Sequence, residues 1–124
     1  MKAIDFTATN TTPAVRYEED GKLIIKGRSI SDNEVSFYQP LIDWACMLKT
    51  DTLVVDIDLE YINSGSSKKL FYLLKVLDGN TSISKLIVNW YYEEGDEETL
   101  VKGQVFNESL PKAEFRFHLQ KDAV

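Results

Sequence analysis

The sequence predicts an α/β fold in which a mixed sheet of about five strands carries helices on one face only. Three observations lead there. Residues 53–77 switch from a two-residue to a 3.6-residue period across a short polar turn, so a strand feeds directly into a helix. Another strand pattern follows that helix closely, which makes the two strands parallel neighbours joined by a right-handed crossover. The strands from the second onward alternate apolar with polar side chains, whereas a sheet covered on both sides would be apolar nearly throughout.

Residues 1–12 are threonine-rich without sustained period, a loose lead-in or short edge strand. Residues 13–17 and 22–28 are strands around Glu18-Glu19-Asp20-Gly21, whose Asp-Gly pair marks an N-terminal hairpin. In the second of them Leu23, Ile25 and Gly27 alternate with Lys22, Ile24, Lys26 and Arg28. Residues 29–33 break the strand, and Asp32 or Asn33 can cap a helix over residues 34–49. Val35, Tyr38, Leu41, Ile42, Ala45 and Leu48 form its apolar stripe, with Trp44 at the edge and Cys46 read as a small buried side chain. Pro40 implies a kink, or a helix that begins near Gln39 with Pro40 in its first turn.

The central strand places Leu53, Val55, Ile57, Leu59 and Tyr61 on one face. Its other face holds Val54, Asp56, Asp58, Glu60 and Ile62, with the acids available to pair with Lys22, Lys26 and Arg28. The helix after it aligns Leu70, Leu73, Leu74 and Leu77 and ends at Gly79-Asn80, either of which accepts a left-handed C-cap. In residues 84–91, Leu86, Val88 and Trp90 alternate with Lys85, Ile87, Asn89 and Tyr91, completing a parallel β-α-β core. Residues 93–98 gather five carboxylates around Gly95. Asp96 reads as a helix cap, because a hard-cation loop spaces its ligands through a longer bend. Leu100, Val101, Gln104 and Val105 then face the core from a third helix. Phe115, Phe117 and Leu119 alternate with Glu114, Arg116 and His118 in a last strand.

At 124 residues the chain is expected to be one domain, residues 1–124. A net charge of −6 argues against nucleic acid and anionic membrane as partners. Cys46 is the only cysteine, so an intrachain disulfide and a cysteine-based zinc site are both excluded. The N-terminus has no apolar signal region, and no long uncharged apolar run occurs, which leads to a cytoplasmic expectation. No cofactor is expected.

The candidate functional residues are Asn63, Ser64, Gly65, Ser66 and Lys68. The turn Asn63-Ser64-Gly65-Ser66 lies at the carboxyl end of a strand and the amino end of a helix, where unpaired N–H groups and the helix dipole welcome an anion. In parallel sheets partners usually dock beyond those strand ends. Catalysis there lacks support. The single histidine, His118, is on a distant strand, and a pair of Ser64 with Lys68, possible in distance, has no other feature to support it. Gly65-Ser66-Ser67-Lys68 lacks the second glycine and the Gly-Lys-Ser/Thr order of a phosphate-cradling loop. A small hydrolase or transferase using this turn is therefore the alternative reading, beside a constitutive adaptor in which Asn63 or Ser64 is simply an N-cap. Ser64 as a phosphoacceptor needs no second catalytic group, because another protein does the chemistry.

Tyr61-Ile62-Asn63-Ser64-Gly65-Ser66-Ser67-Lys68 resembles the Tyr-x-Asn-Thr/Ser-x-Ser-x-Lys stretch of the SiaC family of bacterial regulatory phosphoproteins. Thr12-Pro13, the Tyr38 to Trp44 segment and Asn89-Trp90-Tyr91-Tyr92 with its acidic run and Gly103 resemble the family in matching order. The resemblance covers roughly residues 11–117. It implies a fold like the STAS domain of anti-sigma-factor antagonists, with Ser64 in the acceptor's place. It also implies a partner kinase, a PP2C-type phosphatase and an unphosphorylated form that activates a diguanylate cyclase and promotes biofilm formation. Two departures stand out: Gly65 occupies a position where many members have serine, and Ser29-Ile30-Ser31-Asp32-Asn33 replaces a common Ser-x-Pro-Glu-Asn/Asp.

Overall fold

The computed structural model describes residues 4–31 and 33–121. The elements are β1 (Asp5–Phe6), β2 (Ala14–Glu18), β3 (Lys22–Ser29), α1 (Glu34–Met47), β4 (Thr52–Ile62), α2 (Ser64–Gly79), β5 (Lys85–Glu93), α3 (Glu97–Glu108) and β6 (Ala113–Gln120). All six strands form one sheet whose spatial order is the chain order. β1, β2 and β3 pair antiparallel, and β3 through β6 pair parallel. The strand beyond the expected five is β1, two residues long and paired with β2.

Every parallel connection steps to the next strand in the same direction. Right-handed crossovers of that kind deliver all three helices to one face of the sheet. Burial agrees: Leu53, Val55, Ile57 and Leu59 of β4 are buried, whereas Val54, Asp56 and Asp58 are half-buried and Glu60 is exposed. The uncovered face carries a polar ladder across four strands. Lys22 Nζ lies 3.3 Å from Asp56, Asn89 Nδ2 donates to Asp56 at 2.8 Å, and His118 Nε2 lies 2.9 Å from Asn89 Oδ1. Arg28 pairs with Glu60 at 3.4 Å. Lys26 stands opposite Asp58 in the register, but Asp58 takes a hydrogen bond from Gln120 instead.

Several expectations need correction. Cys46 is exposed, because Ala45 and Leu48 turn inward and leave it on the outer side of α1. α1 starts at Glu34, as the spacing predicts, with Pro40 inside it, so only the alternative start near Gln39 falls. Asn33 holds the N-cap position without a side-chain cap bond, and Asp32 lies outside the described residues.

The end of α2 has no left-handed residue. Asn80 is extended there, and its Nδ2 donates to the carbonyls of Ala45 and Leu48, both at 2.9 Å, capping α1 from the end of α2. Asp78 accepts the backbone N–H groups of Lys112 and Ala113, and Lys112 Nζ returns to the carbonyls of Asn80 and Ile83. These bonds clamp the ends of α1 and α2 to the start of β6.

The face of α3 also needs correction. Val101 and Val105 are 52% and 53% exposed, Gln104 is exposed and Leu100 is half-buried, while Gly103, Phe106 and Leu110 are buried. The cause is Trp90, whose indole fills the space under α3. A Cβ on Gly103 would stand 2.7 Å from the ring, so the helix must turn its glycine toward Trp90. Trp90 Nε1 donates to the Thr99 carbonyl at 3.0 Å and fixes the contact. Among the described residues no helix is long and apolar enough to cross a membrane.

Two outcomes are expected from this packing. Gly103→Ala overpacks the indole and should destabilise the fold by about 1–3 kcal/mol in chemical denaturation. Tyr38 is buried with its hydroxyl 2.7 Å from that of Ser29. Burial pushes its phenol up from 10.0 to about 12, against the opposing effect of the Ser29 hydrogen bond. The unfolded chain ionises first, so the stabilisation is intact below pH 10 and lost as pH rises to about 12. Across that window the wild type should lose about 3 kcal/mol more than Tyr38→Phe, as measured by denaturation at each pH.

Candidate functional site

The candidate site is the corner where β4 becomes α2. The Asn63 N–H donates to the Ser29 carbonyl at 3.0 Å, so the strand end is tied to β3 up to the last residue before the helix. Asn63 is extended and is the N-cap: its Oδ1 accepts the Ser66 N–H at 2.8 Å and its carbonyl accepts the Ser67 N–H at 2.9 Å. Its Nδ2 reaches the Ser31 carbonyl at 3.4 Å, which joins the cap to the loop before α1. Capping is thus complete without Ser64.

Ser64 is the first residue of α2 and is exposed. Its hydroxyl has no hydrogen-bond partner among the described residues. Lys68, one helical turn on, is also exposed, and among the described residues it forms no ion pair. No acidic residue occupies the first turn of α2, so nothing offsets the positive end of its dipole. Gly65 is half-buried and has no positive φ, so the corner does not need a glycine there for its backbone. Ser66 is 1% exposed, its hydroxyl without a partner among the described residues, which makes it a support beneath the turn. The structure thus gathers the five residues singled out in the sequence at one corner, two facing solvent and one facing the core.

One neighbour was not legible. Arg28 lies over the Tyr61 ring at 5.3 Å, because a register shift after Gly27 sets Arg28 opposite Tyr61 and not Glu60. Gly27 has a φ of 128°, and a glycine inside a strand was the one available sign of that bulge. His118 is on the open face of the sheet, opposite α2, and is held by Asn89, so it cannot serve Ser64. Among the described residues there is no cluster of three metal-ligating side chains. The corner offers a reachable nucleophile with a lysine and helix dipole placed for an added anion.

A family model described as SiaC family regulatory phosphoprotein matches residues 6–120. Three solved structures share the fold. SiaC of Pseudomonas aeruginosa is 24% identical, with a TM-score of 0.79, covering 98% of this chain and 100% of that one. The apo-SiaC crystal structure from the same organism is 24% identical at a TM-score of 0.77, covering 97% and 99%. A chain from the crystal structure of diguanylate cyclase SiaD in complex with its activator SiaC, also from Pseudomonas aeruginosa, is 23% identical at 0.78, covering 96% and 99%. A comparison with curated proteins gives no match.

Removing the cap should be felt and removing the hydroxyl should not. Asn63→Ala is expected to cost about 1 kcal/mol and lower the melting temperature by a few degrees, whereas Ser64→Ala leaves both close to wild type. Thermal and urea denaturation of the two variants check this.

Proposed function

The chain belongs to the SiaC family of regulatory phosphoproteins, and on that footing we propose that it is a non-enzymatic switch written at Ser64. The observation that carries the proposal is the division of labour at the corner. Asn63 closes the helix, and the Ser64 hydroxyl is left exposed and without a structural task. A partner kinase supplies the phosphate and a PP2C-type phosphatase removes it.

A phosphate at this position brings nearly two negative charges to the positive end of α2, with Lys68 one turn away to receive them. Charge of that sign at a helix N-terminus is worth about 0.3–1 kcal/mol, so the modified fold is no less stable than the unmodified one. The effect falls on whatever docks over the corner, which must then bury a charge or answer it. The unphosphorylated form accordingly binds and activates its signalling partner. A diguanylate cyclase is the natural partner class, since a protein of this fold is the activator of SiaD in Pseudomonas aeruginosa.

Incubation with the organism's own kinase and ATP should place phosphate on the peptide that contains residues 63–68, as read by mass spectrometry, and Ser64→Ala should abolish it. Ser64→Asp should weaken cyclase binding at least tenfold while Ser64→Ala retains it, both with wild-type melting behaviour. Phosphate elsewhere on the chain, or equal binding by the two variants, defeats the proposal.

A further inference from the structure

The two edges of the sheet are unlike. At one of them β1 is two residues long and leaves little to pair with. At the other, β6 runs from Ala113 to Gln120 without a proline or a bulge, and among the described residues no strand lies beyond it. The Gln120 carbonyl accepts the Glu94 N–H, which turns the backbone groups of Gln120 toward β5. Those groups change sides at each residue, so Glu114, Arg116 and His118 also bond to β5, and Phe115, Phe117 and Leu119 hold their N–H and C=O groups outward. The side chains of the same three residues point to the helix face, half-buried at Phe115 and Phe117 and 49% exposed at Leu119. Proteins ordinarily blunt such an edge with a proline, a bulge or an inward charge. β6 carries none of these.

We propose that this edge receives the β6 strand of a second copy of the chain, antiparallel about a twofold axis at Phe117, which joins the two sheets into one. Such an axis stands normal to the sheet, keeps both sets of helices on the same face and must pass through a residue. Charge and backbone bonding choose which one. An axis at Glu114 or Arg116 sets two like charges against each other. An axis at Phe115 brings Phe117 against Ala113, whose N–H Asp78 already holds, and Leu119 against Pro111, which has no N–H. Beyond Phe117 the pairing runs past Gln120, where the strand ends. An axis at Phe117 opposes Phe117 to itself and Phe115 to Leu119, so every outward N–H of the three residues meets a carbonyl of the other copy. It also covers the exposed Leu119 with Phe115. On the open face it opposes Glu114 to Gln120 and Arg116 to His118, and the Arg116 charge is already met by Glu114 of its own strand at 2.6 Å. The strand is thus its own complement. β6 lies two strands from β4, so the pairing leaves the Ser64 corner uncovered and does not rest on the switch.

The test is sedimentation velocity of the purified full chain over a concentration series, with amide hydrogen exchange read residue by residue by NMR. One strand pair is a small contact, so the dimer should grow in as concentration rises. Exchange at Phe115, Phe117 and Leu119 should slow at least tenfold between dilute and concentrated samples, while Glu114, Arg116 and His118, already bonded to β5, stay slow throughout. Leu119→Lys, at an exposed position, should weaken association at least tenfold with a wild-type melt. Val101→Lys, at an equally exposed position on α3, should not, and Ser64→Asp should associate like wild type. A monomer at every concentration overturns the proposal. So does a dimer that Leu119→Lys leaves intact, or one whose formation leaves the three edge amides exchanging freely. Protection of those amides only when purified diguanylate cyclase from the same organism is added gives the edge to a foreign strand and overturns the second copy.

Discussion

The handedness of the crossover connections governs this molecule. A strand that feeds a helix and returns parallel in the same sheet does so with a right-handed turn, because a twisted strand and a right-handed helix pack together only that way. Three such connections in succession, each stepping to the next strand along, put α1, α2 and α3 on one face and direct α2 and α3 to begin at the same edge. The strand order never reverses, so no crevice opens between diverging helices of the kind that houses ligands in doubly wound sheets. What remains at the strand ends is a row of helix tips on the surface. A site on such a surface suits recognition by another protein better than enclosure of a small substrate.

The opposite face follows from the same constraint. With no helices to cover it, it must satisfy its side chains laterally, and the line from Lys22 through Asp56 and Asn89 to His118 does so. Asn89 is held at both ends of its amide, donating to Asp56 and facing His118 with its oxygen. That geometry requires the histidine proton to be on Nε2. The single histidine of the chain thereby has a structural occupation.

Much of this was legible before any coordinates, and the reason is burial. Leu53 to Leu59 and Leu70 to Leu77 are apolar at positions that only a half-covered strand and a half-covered helix demand, so periodicity alone locates the β4-α2 junction. α3 misled because two stripes competed. Hydropathy favours Val101 and Val105 over Gly103, and only the volume of Trp90, on another element, decides the rotation. Cys46 misled for the simpler reason that an apolar side chain beside Ala45 suggests an interior that the helix does not give it. Asn63 and Ser64 are both good capping residues, so their roles could not be divided from composition. A single residue of backbone register assigned the cap to Asn63 and released Ser64.

The clamp at the far ends of the helices bears on how a signal could be transmitted. Asn80 holds the last turn of α1, Asp78 and Lys112 hold α2 to β6, and Trp90 holds α3 to the sheet. The first turn of α2 is pinned in turn by Asn63. Among the described residues, hydrogen bonds thus tie both ends of α2 into the fold. A chemical mark at this corner would then act as a change of label on a stiff body, with information carried by surface potential and not by rearrangement of the scaffold.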